Sequence, residues 1–332
     1  MAENLIDAAK GALLGTFVGD ALGMPVEGLS RQRIVEEYGI LRGFVEGRLP
    51  AGTYTDDTEM AIGLAESLVD CGGFEPADVA SKFAANFTLW RGYGSRTCGV
   101  MSKLKAGASW ERTGTDSWGN GAAMRIAPLG VVFCGSPDLE AHAETCARIT
   151  HTHANAVAGA VVQAVAVGEA VRRGLLFIER DKQDFQDILV EAASGYGEAM
   201  VRPLERLANL RLGEDPESKA ATLRSRFPCD VSAVGSVPAA VASFLAADDF
   251  EEAVVVAVNA GGDTDTVGAM AGALAGAYFG ASSIPADLLA GLAEEDKGRA
   301  YVESLGERLG KVARTHEAGQ FELDDEGDEA DI

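Results

Sequence analysis

The sequence predicts an all-helical fold, and three observations carry that prediction. Strand signals are scarce along its 332 residues, whereas long alanine-rich segments with apolar residues at helical spacing recur. Two of those segments carry glycine at every fourth position, Gly11, Gly15, Gly19 and Gly23 near one end and Gly268, Gly272, Gly276 and Gly280 near the other. A spacing of four places each set on one helix face.

The first helix is expected over 5–22. A helical glycine costs about 1 kcal/mol relative to alanine, which close backbone approach to a partner helix would offset. Such packing would also bring the chain after Asp20 to the segment around Asp263, although core packing alone is an equally ordinary use of glycine faces. Pro25 and Gly28 keep the next stretch non-helical and leave Glu27 on a loop, where a carboxylate is ordinarily just solvated. Helices are then expected over 57–70 and 76–90. Residues 91–120 are polar, rich in Gly, Ser and Arg, and without a helical period, so they read as a substrate-facing loop.

Ser117-Trp118-Gly119-Asn120-Gly121 leads from a glycine-rich turn into a helix over 121–133. Such a turn can aim backbone N–H groups and the helix dipole at a phosphate, with Trp118 as a stacking face; an ordinary helix start is its commoner meaning. Thr150-His151-Thr152-His153 precedes a helix over 154–173. Histidines two apart fall on different faces and cannot chelate one metal from a regular helix, so a cap or a hydrogen bond to substrate is the expected role. Further helices are expected over 184–211, 237–258, 265–279 and 287–314, with a second polar loop over 212–236.

Two carboxylate clusters, Thr55-Asp56-Asp57-Thr58 and Asp263-Thr264-Asp265-Thr266, stand at the starts of the helices 57–70 and 265–279. Asp and Thr are preferred N-caps, and Asp56 with Glu59 has capping-box spacing. A cap, however, needs one acceptor, while each cluster offers two carboxylates and two hydroxyls. The surplus oxygens suit a hard divalent cation such as magnesium or manganese, held between the two segments. An EF-hand is excluded, because a loop beginning at Asp263 would have Val267 at its fifth position and Leu274 at its twelfth.

Composition bounds the partners. With 28 basic against 51 acidic residues the net charge is -23, which disfavours nucleic acid and offers no basic cluster to anionic lipid. Residues 317–332 hold eight acidic and no basic residues and are expected to form a disordered tail outside a single domain, 1–316. The five cysteines, Cys71, Cys98, Cys134, Cys146 and Cys229, include no CxxC pair and read as buried thiols in a reducing compartment. No basic-flanked signal segment stands at the N-terminus, and the longest apolar stretch, 266–280, is short for a bilayer. A soluble, cytoplasmic, monomeric protein is the expectation.

Six segments taken together, within residues 9–280, resemble the ADP-ribosylglycohydrolase family. They are Gly11-x3-Gly15-x3-Gly19-Asp20-Ala21-Leu22-Gly23, Tyr54-Thr55-Asp56-Asp57-Thr58, Gly119-Asn120-Gly121-Ala122-Ala123-Met124-Arg125, Thr150-His151, Ser236-Val237-Pro238 and Gly261-Gly262-Asp263-Thr264-Asp265-Thr266. The resemblance implies a single orthogonal helical bundle with two magnesium or manganese ions in a cleft, and hydrolysis of a glycosidic bond to ADP-ribose. By position, Thr55, Asp56, Asp57, Asp263, Asp265 and Thr266 would be the metal ligands. Glu27 falls where the serine-specific branch has a mobile catalytic glutamate, with Asp263 or Asp265 in the complementary role. Ser117, Trp118, Gly119 and Asn120 fall where that branch holds the pyrophosphate and adjoining ribose, and His151 where a histidine approaches adenosine. Arg125 is a candidate source of positive potential for the pyrophosphate.

The arginine-specific branch has an aspartate in the loop after its first metal motif; here Arg91-Gly92-Tyr93-Gly94-Ser95-Arg96 contains none. That run also resembles the serine-specific branch, which adds Gly94 to the substrate contacts. Arg91 and Arg96, if they face the site, would repel a guanidinium. The expectation therefore leans to O-linked substrates: ADP-ribosyl-serine, poly-ADP-ribose or O-acetyl-ADP-ribose. An ADP-ribosylarginine hydrolase is the alternative, with Asp116 as an acid that another loop could supply. A non-catalytic ADP-ribose-binding or structural protein and a two-metal hydrolase of the pyrophosphate are readings from other classes.

Overall fold

The computed structural model describes residues 2–294 and 296–326, and its frame is a pair of helices in direct backbone contact, α1 (Ala2–Gly23) and α14 (Thr264–Phe279). They run antiparallel, with Gly11 against Gly276, Gly15 against Gly272, Gly19 against Gly268 and Gly23 against Thr264. A Cβ added at Gly15 would lie 2.7 Å from the Gly272 carbonyl carbon, and one at Gly268 would lie 2.5 Å from the Gly19 oxygen. Only glycine permits this approach, and Thr264 Oγ1 donates to Gly23 O at 2.8 Å where the seam ends.

Between these two lie α2 (Arg31–Tyr38), α3 (Asp56–Cys71), α4 (Pro76–Asn86), α5 (Ser95–Lys105), α6 (Ala127–Val132), α7 (Leu139–Arg148) and α8 (Ala154–Leu176). They are followed by α9 (Lys182–Ser194), α10 (Glu198–Leu204), α11 (Pro216–Arg226), α12 (Ala233–Ala246) and α13 (Phe250–Asn259), and after α14 by α15 (Ala286–Gly291) and α16 (Arg299–Glu326). Helices α8, α12 and α13 pack on α14, while α3, α6 and α16 pack around α1. Among the described residues there is no strand, only isolated bridges joining Ser30 to Gly261, Thr115 to His151 and Gly119 to Ser232. The all-helical expectation holds.

Several boundaries differ from the sequence reading. The stretch 184–211 breaks at Gly197, whose φ of 106° ends regular helix. The stretch 237–258 breaks because the Asp249 side chain caps α13, accepting from Glu252 N at 2.8 Å. The stretch 287–314 divides into α15 and α16 around Lys297, at φ 59°. The two polar loops contain α5 and α11, the latter started by a reciprocal Asp215–Ser218 capping box; α2 and α7 also went unforeseen. Helix α8 is long and apolar enough to cross a membrane by length and composition, and is longer than the 266–280 stretch; here it is mostly buried in the core. The thiols are free, but Cys71 is exposed and Cys98 and Cys134 are half-buried, so only Cys146 and Cys229 fit the expectation of burial. The backbone of the acidic segment continues α16 through Glu326, and 327–332 lie outside the described residues.

Candidate active site

The cleft is built where the glycine seam delivers the C-terminal end of α1 to the N-terminal end of α14. Asp20, on α1 and fully buried, accepts from Thr55 N at 3.0 Å, Thr58 N at 3.0 Å and Thr58 Oγ1 at 2.6 Å. A carboxylate from one helix thus fixes the start of another, α3. Burial and then the Asp265 charge push the Asp20 carboxyl up to about 6, against the hydrogen bonds from Thr58 and Thr55.

Capping absorbs little of the two acidic clusters. The cap of α3 is Thr55, whose hydroxyl accepts from Asp57 N at 3.4 Å and donates to Asp57 Oδ2 at 3.1 Å. The Asp56–Glu59 capping box does not form; Glu59 instead accepts from Tyr93 Oη at 2.6 Å and Thr88 N at 2.9 Å. At α14 the N-cap residue Asp263 makes no capping bond. Its Oδ2 accepts from Asn120 Nδ2 at 2.6 Å, and that amide also reaches Ser236 Oγ at 3.1 Å. Asp265 accepts from Thr266 N at 2.9 Å. Helix capping therefore leaves oxygens of Asp56, Asp57 and Asp263 for another partner.

Glu27 is carried to the same place by its loop. Gly28 N donates to Gly262 O at 2.8 Å and Gly262 N to Leu29 O at 2.9 Å, a ladder that depends on positive φ at Gly261 and Gly262. Glu27, Asp263 and Asp265 each bring a carboxylate oxygen within 4.8 Å of the others. Burial, then Asp265, raises the Glu27 carboxyl to about 7 despite the opposing Arg48 charge. Burial first, and mutual repulsion next, push Asp56, Asp57 and Asp263 well above the usual carboxylate range.

These residues line one cavity of about 380 Å³ together with Thr266, a size suited to a small-molecule ligand. The donor set is carboxylate and hydroxyl oxygen throughout, the chemistry of a hard divalent cation. Asp57 Oδ1 is buried without a hydrogen-bond partner among the described residues, an arrangement that costs free energy unless a cation completes it. The residues present fit a divalent metal.

The walls gather the other residues singled out from the sequence. Gly94, Ser117, Trp118, Gly119, Asn120 and His151 all line the cavity. Trp118 is 47% exposed, its indole available as a flat face, beside the exposed Val231. The 117–121 turn is held by Asn120 N donating to Val231 O at 3.0 Å and Gly119 N to Ser117 Oγ at 3.3 Å, so these two amides are committed within the fold. No helix opens at Gly121: residues 121–125 are turns, and α6 starts only at Ala127. The histidines divide the two roles open to them. His153 caps α8 by accepting from Asn155 N at 3.1 Å, while His151 faces the cavity with Nδ1 2.7 Å from Thr150 Oγ1. Burial, then Arg125 and Arg96, lowers His151 to about 3, so its imidazole is neutral.

The arginines are distributed differently from the sequence expectation. Arg125 is fully buried in the core, donating to Gly121 O at 2.8 Å, Cys146 O at 3.1 Å and Thr150 Oγ1 at 2.8 Å; it shapes the cavity wall and offers nothing to a pyrophosphate. Arg91 is also buried, stacked 3.8 Å over the Tyr54 ring and donating to Tyr54 O at 2.8 Å. Arg96 does line the cavity, joined by Arg48, which sequence reasoning missed; Asp116 is exposed and is not among the lining residues. Asp20 and Ser236 also went unassigned, though both fall inside the quoted motifs.

Comparisons with known proteins agree with this geometry. Residues 1–319 match the sequence profile of the ADP-ribosylglycohydrolase family. The chain is 31% identical over 297 residues to the ADP-ribosyl-[dinitrogen reductase] glycohydrolase of Rhodospirillum rubrum, covering 86% of this chain and 90% of that one. It is 30% identical over 320 residues to the ADP-ribosylhydrolase ARH3 of Gallus gallus, covering 83% and 86%. A solved structure described as an ADP-ribosylglycohydrolase-related protein complex superposes with a TM-score of 0.74 at 33% identity, over 94% of this chain and 99% of that one.

Proposed function

The chain belongs to the ADP-ribosylglycohydrolase family of hydrolases, and we propose that it cleaves the glycosidic bond at the anomeric carbon of O-linked ADP-ribose adducts with two divalent cations, magnesium or manganese, in its cleft. The observation that carries the reading is the convergence of Asp56 and Asp57 from α3 with Asp263 and Asp265 from α14, Glu27 beside them, on one cavity. Its substrate by this reading is an ADP-ribosylated protein or a small molecule containing ADP-ribose.

Asp56, Asp57, Asp263 and Asp265, with Thr55 and Thr266, would hold the cations. When bound, these would supply Lewis-acid polarisation at the ribose and the attacking water. Asn120 fixes the Asp263 carboxylate, and Asp20 fixes the start of α3, so both acidic pairs are oriented before substrate arrives. Glu27, on its loop beside Asp263 and Asp265, is placed to carry a proton at the reacting centre, and we assign it the proton transfer. Trp118 supplies a stacking face, and neutral His151 a hydrogen bond, to the rest of the ADP-ribose.

The preference for an O-linked substrate is supported by charge. Every acidic residue lining the cavity belongs to the carboxylate cluster at the cation site, and Arg96 on the cavity wall is cationic. A guanidinium leaving group would meet like charge in a poorly screened cleft. The deciding experiment compares release of ADP-ribose from serine- and arginine-linked peptides, with manganese or magnesium and with chelator, using Asp57→Asn as a control. Release from the serine peptide alone, lost on chelation and in Asp57→Asn, is the expected result. Faster release from arginine overturns the linkage, turnover after exhaustive chelation overturns the metal, AMP as product indicates pyrophosphate cleavage, and binding without any release indicates a non-catalytic ADP-ribose receptor.

A further inference from the structure

Arg48 sits on the oxygens that a cation in this cleft would need. It lies on the strap 39–55 between α2 and α3, which is fixed on both sides of it. Upstream, Leu41 exchanges backbone hydrogen bonds of 2.9 Å with the buried Asn259 side chain, and Gly47 packs so tightly on Pro25 that a Cβ there would lie 2.6 Å from Pro25 Cα. Downstream, Leu49 is buried, and Gly52 O accepts from Ala293 N at 2.9 Å. From this anchored backbone the guanidinium reaches into the cleft against Gly92, where an added Cβ would lie 2.9 Å from Arg48 Cζ. Its Nη2 is 2.8 Å from Glu27 Oε2 and 3.1 Å from Asp265 Oδ2. The other oxygen of Asp265 is already engaged by Thr266 N.

We propose that Arg48, paired with Glu27, is a tethered cation that competes with the divalent metal for Asp265, so that metal binding requires its displacement and the strap sets the affinity of the site. This rests on the divalent-cation reading of the cleft given above. Guanidinium stays charged throughout the accessible pH range and pairs well with carboxylates, so it neutralises part of the acidic cluster at all times. A dication needs the same Asp265 oxygen, and the two cations would repel each other at such range. Displacement is open to Arg48, because its side chain is 35% exposed and long enough to swing toward solvent while the strap stays in place. A guanidinium that merely preorganised the carboxylates would have the opposite signature, since its removal would weaken metal binding.

The test is calorimetric titration of manganese into chelator-stripped wild type, Arg48→Gln and Arg48→Lys, which measures binding without substrate or turnover. Arg48→Gln is expected to bind manganese about tenfold tighter than wild type, within the usual range of coupling between competing sites. Arg48→Lys, which keeps the charge and loses the planar fork, is expected to gain by a smaller factor. Thermal unfolding gives a second measurement: because a ligand stabilises by its affinity for the native state, manganese should raise the midpoint of Arg48→Gln more than that of wild type. Equal or weaker manganese binding by Arg48→Gln refutes the proposal. If that variant loses its helical circular dichroism, Arg48→Lys decides by the same comparison. Wild type that binds neither manganese nor magnesium sinks the divalent-cation reading and this proposal with it, a pattern distinct from intact wild-type binding that Arg48→Gln fails to improve.

Discussion

Alanine at Gly15 would place one methyl group in the seam between α1 and α14, against the Gly272 backbone. The added Cβ would lie 2.7 Å from the Gly272 carbonyl carbon and closer still to its oxygen, whereas carbon atoms reach their optimum at about 3.5–4.0 Å. The helices must part by roughly 1 Å to admit it. Neither side offers a flexible side chain to move, so the overpacking cost falls near the upper end of its range, about 3 kcal/mol. Alanine's better helix propensity returns about 1 kcal/mol, which leaves a net loss of about 2 kcal/mol. Urea unfolding with unchanged slope measures this, and Gly195→Ala is the control, since Gly195 caps the end of α9 with right-handed helical dihedrals, φ -69°, and nothing lies within 4 Å of an added Cβ. Because Asp263 and Asp265 ride on α14 and Asp20 on α1, activity should fall in Gly15→Ala by more than the change in folded population. A Gly15→Ala protein as stable as Gly195→Ala would refute the claim that the seam needs bare backbone.

In the metal-stripped protein the raised carboxyls of the cleft should contribute less stability as pH rises. Folded carboxyls at about 7 for Glu27 and about 6 for Asp20, against 4.5 and 3.8 as ordinary values, mean that the folded state binds more protons than the unfolded chain across that window. Their contribution to stability is therefore fullest below pH 4 to 5 and declines through pH 6 to 7 as these groups ionise in place, while buried His151, held at about 3, works in the opposite direction up to its ordinary 6.5; thermal melts with chelator isolate the carboxyl contribution as the difference between wild type and Glu27→Gln. Saturating manganese should flatten that difference, and a difference that moves in favour of wild type from pH 5 to 7.5 would contradict the assignment. Arg125→Lys loses the guanidinium fork that serves Gly121 O, Cys146 O and Thr150 Oγ1. With each buried acceptor left unpaired costing roughly 1–3 kcal/mol, destabilisation of about 3 kcal/mol is expected in urea unfolding, and a change under 1 kcal/mol would place Arg125 outside the core network.

The parts of the site that were legible in the sequence were those written locally. Glycine at every fourth residue is a helix-face pattern, and it led to the α1–α14 seam; two Asp/Thr clusters at helix starts led to the cavity. What stayed hidden depended on contacts between distant segments. Arg48 lies in a stretch without periodicity, and its partners are 21 and 217 positions away. Arg125 resembled a phosphate ligand because it follows a glycine-rich turn, yet its acceptors include Cys146 on α7 and Thr150 in the turn after it. Helix ends were misjudged where a side-chain cap such as Asp249 or a positive-φ residue such as Gly197 interrupts apolar spacing that otherwise continues. Asp20 could have been weighed: a carboxylate inside an apolar, glycine-lined helix must find buried donors, and the nearest motif offering them was Thr55 to Thr58.

The seam also dictates when the site can exist. Gly15 and Gly272 belong to opposite ends of the chain, so their pairing is among the most non-local contacts in the fold, and such contacts are slow to form because loop closure precedes any reward from them. During synthesis, α1 leaves the ribosome with a bare glycine face and must wait for α14 before that face is covered. The acidic clusters are consequently kept apart until the fold is nearly complete, and a nascent or truncated chain lacking α14 holds only half of the carboxylates. Completion of the acidic cleft is therefore tied to the docking of α14 against α1.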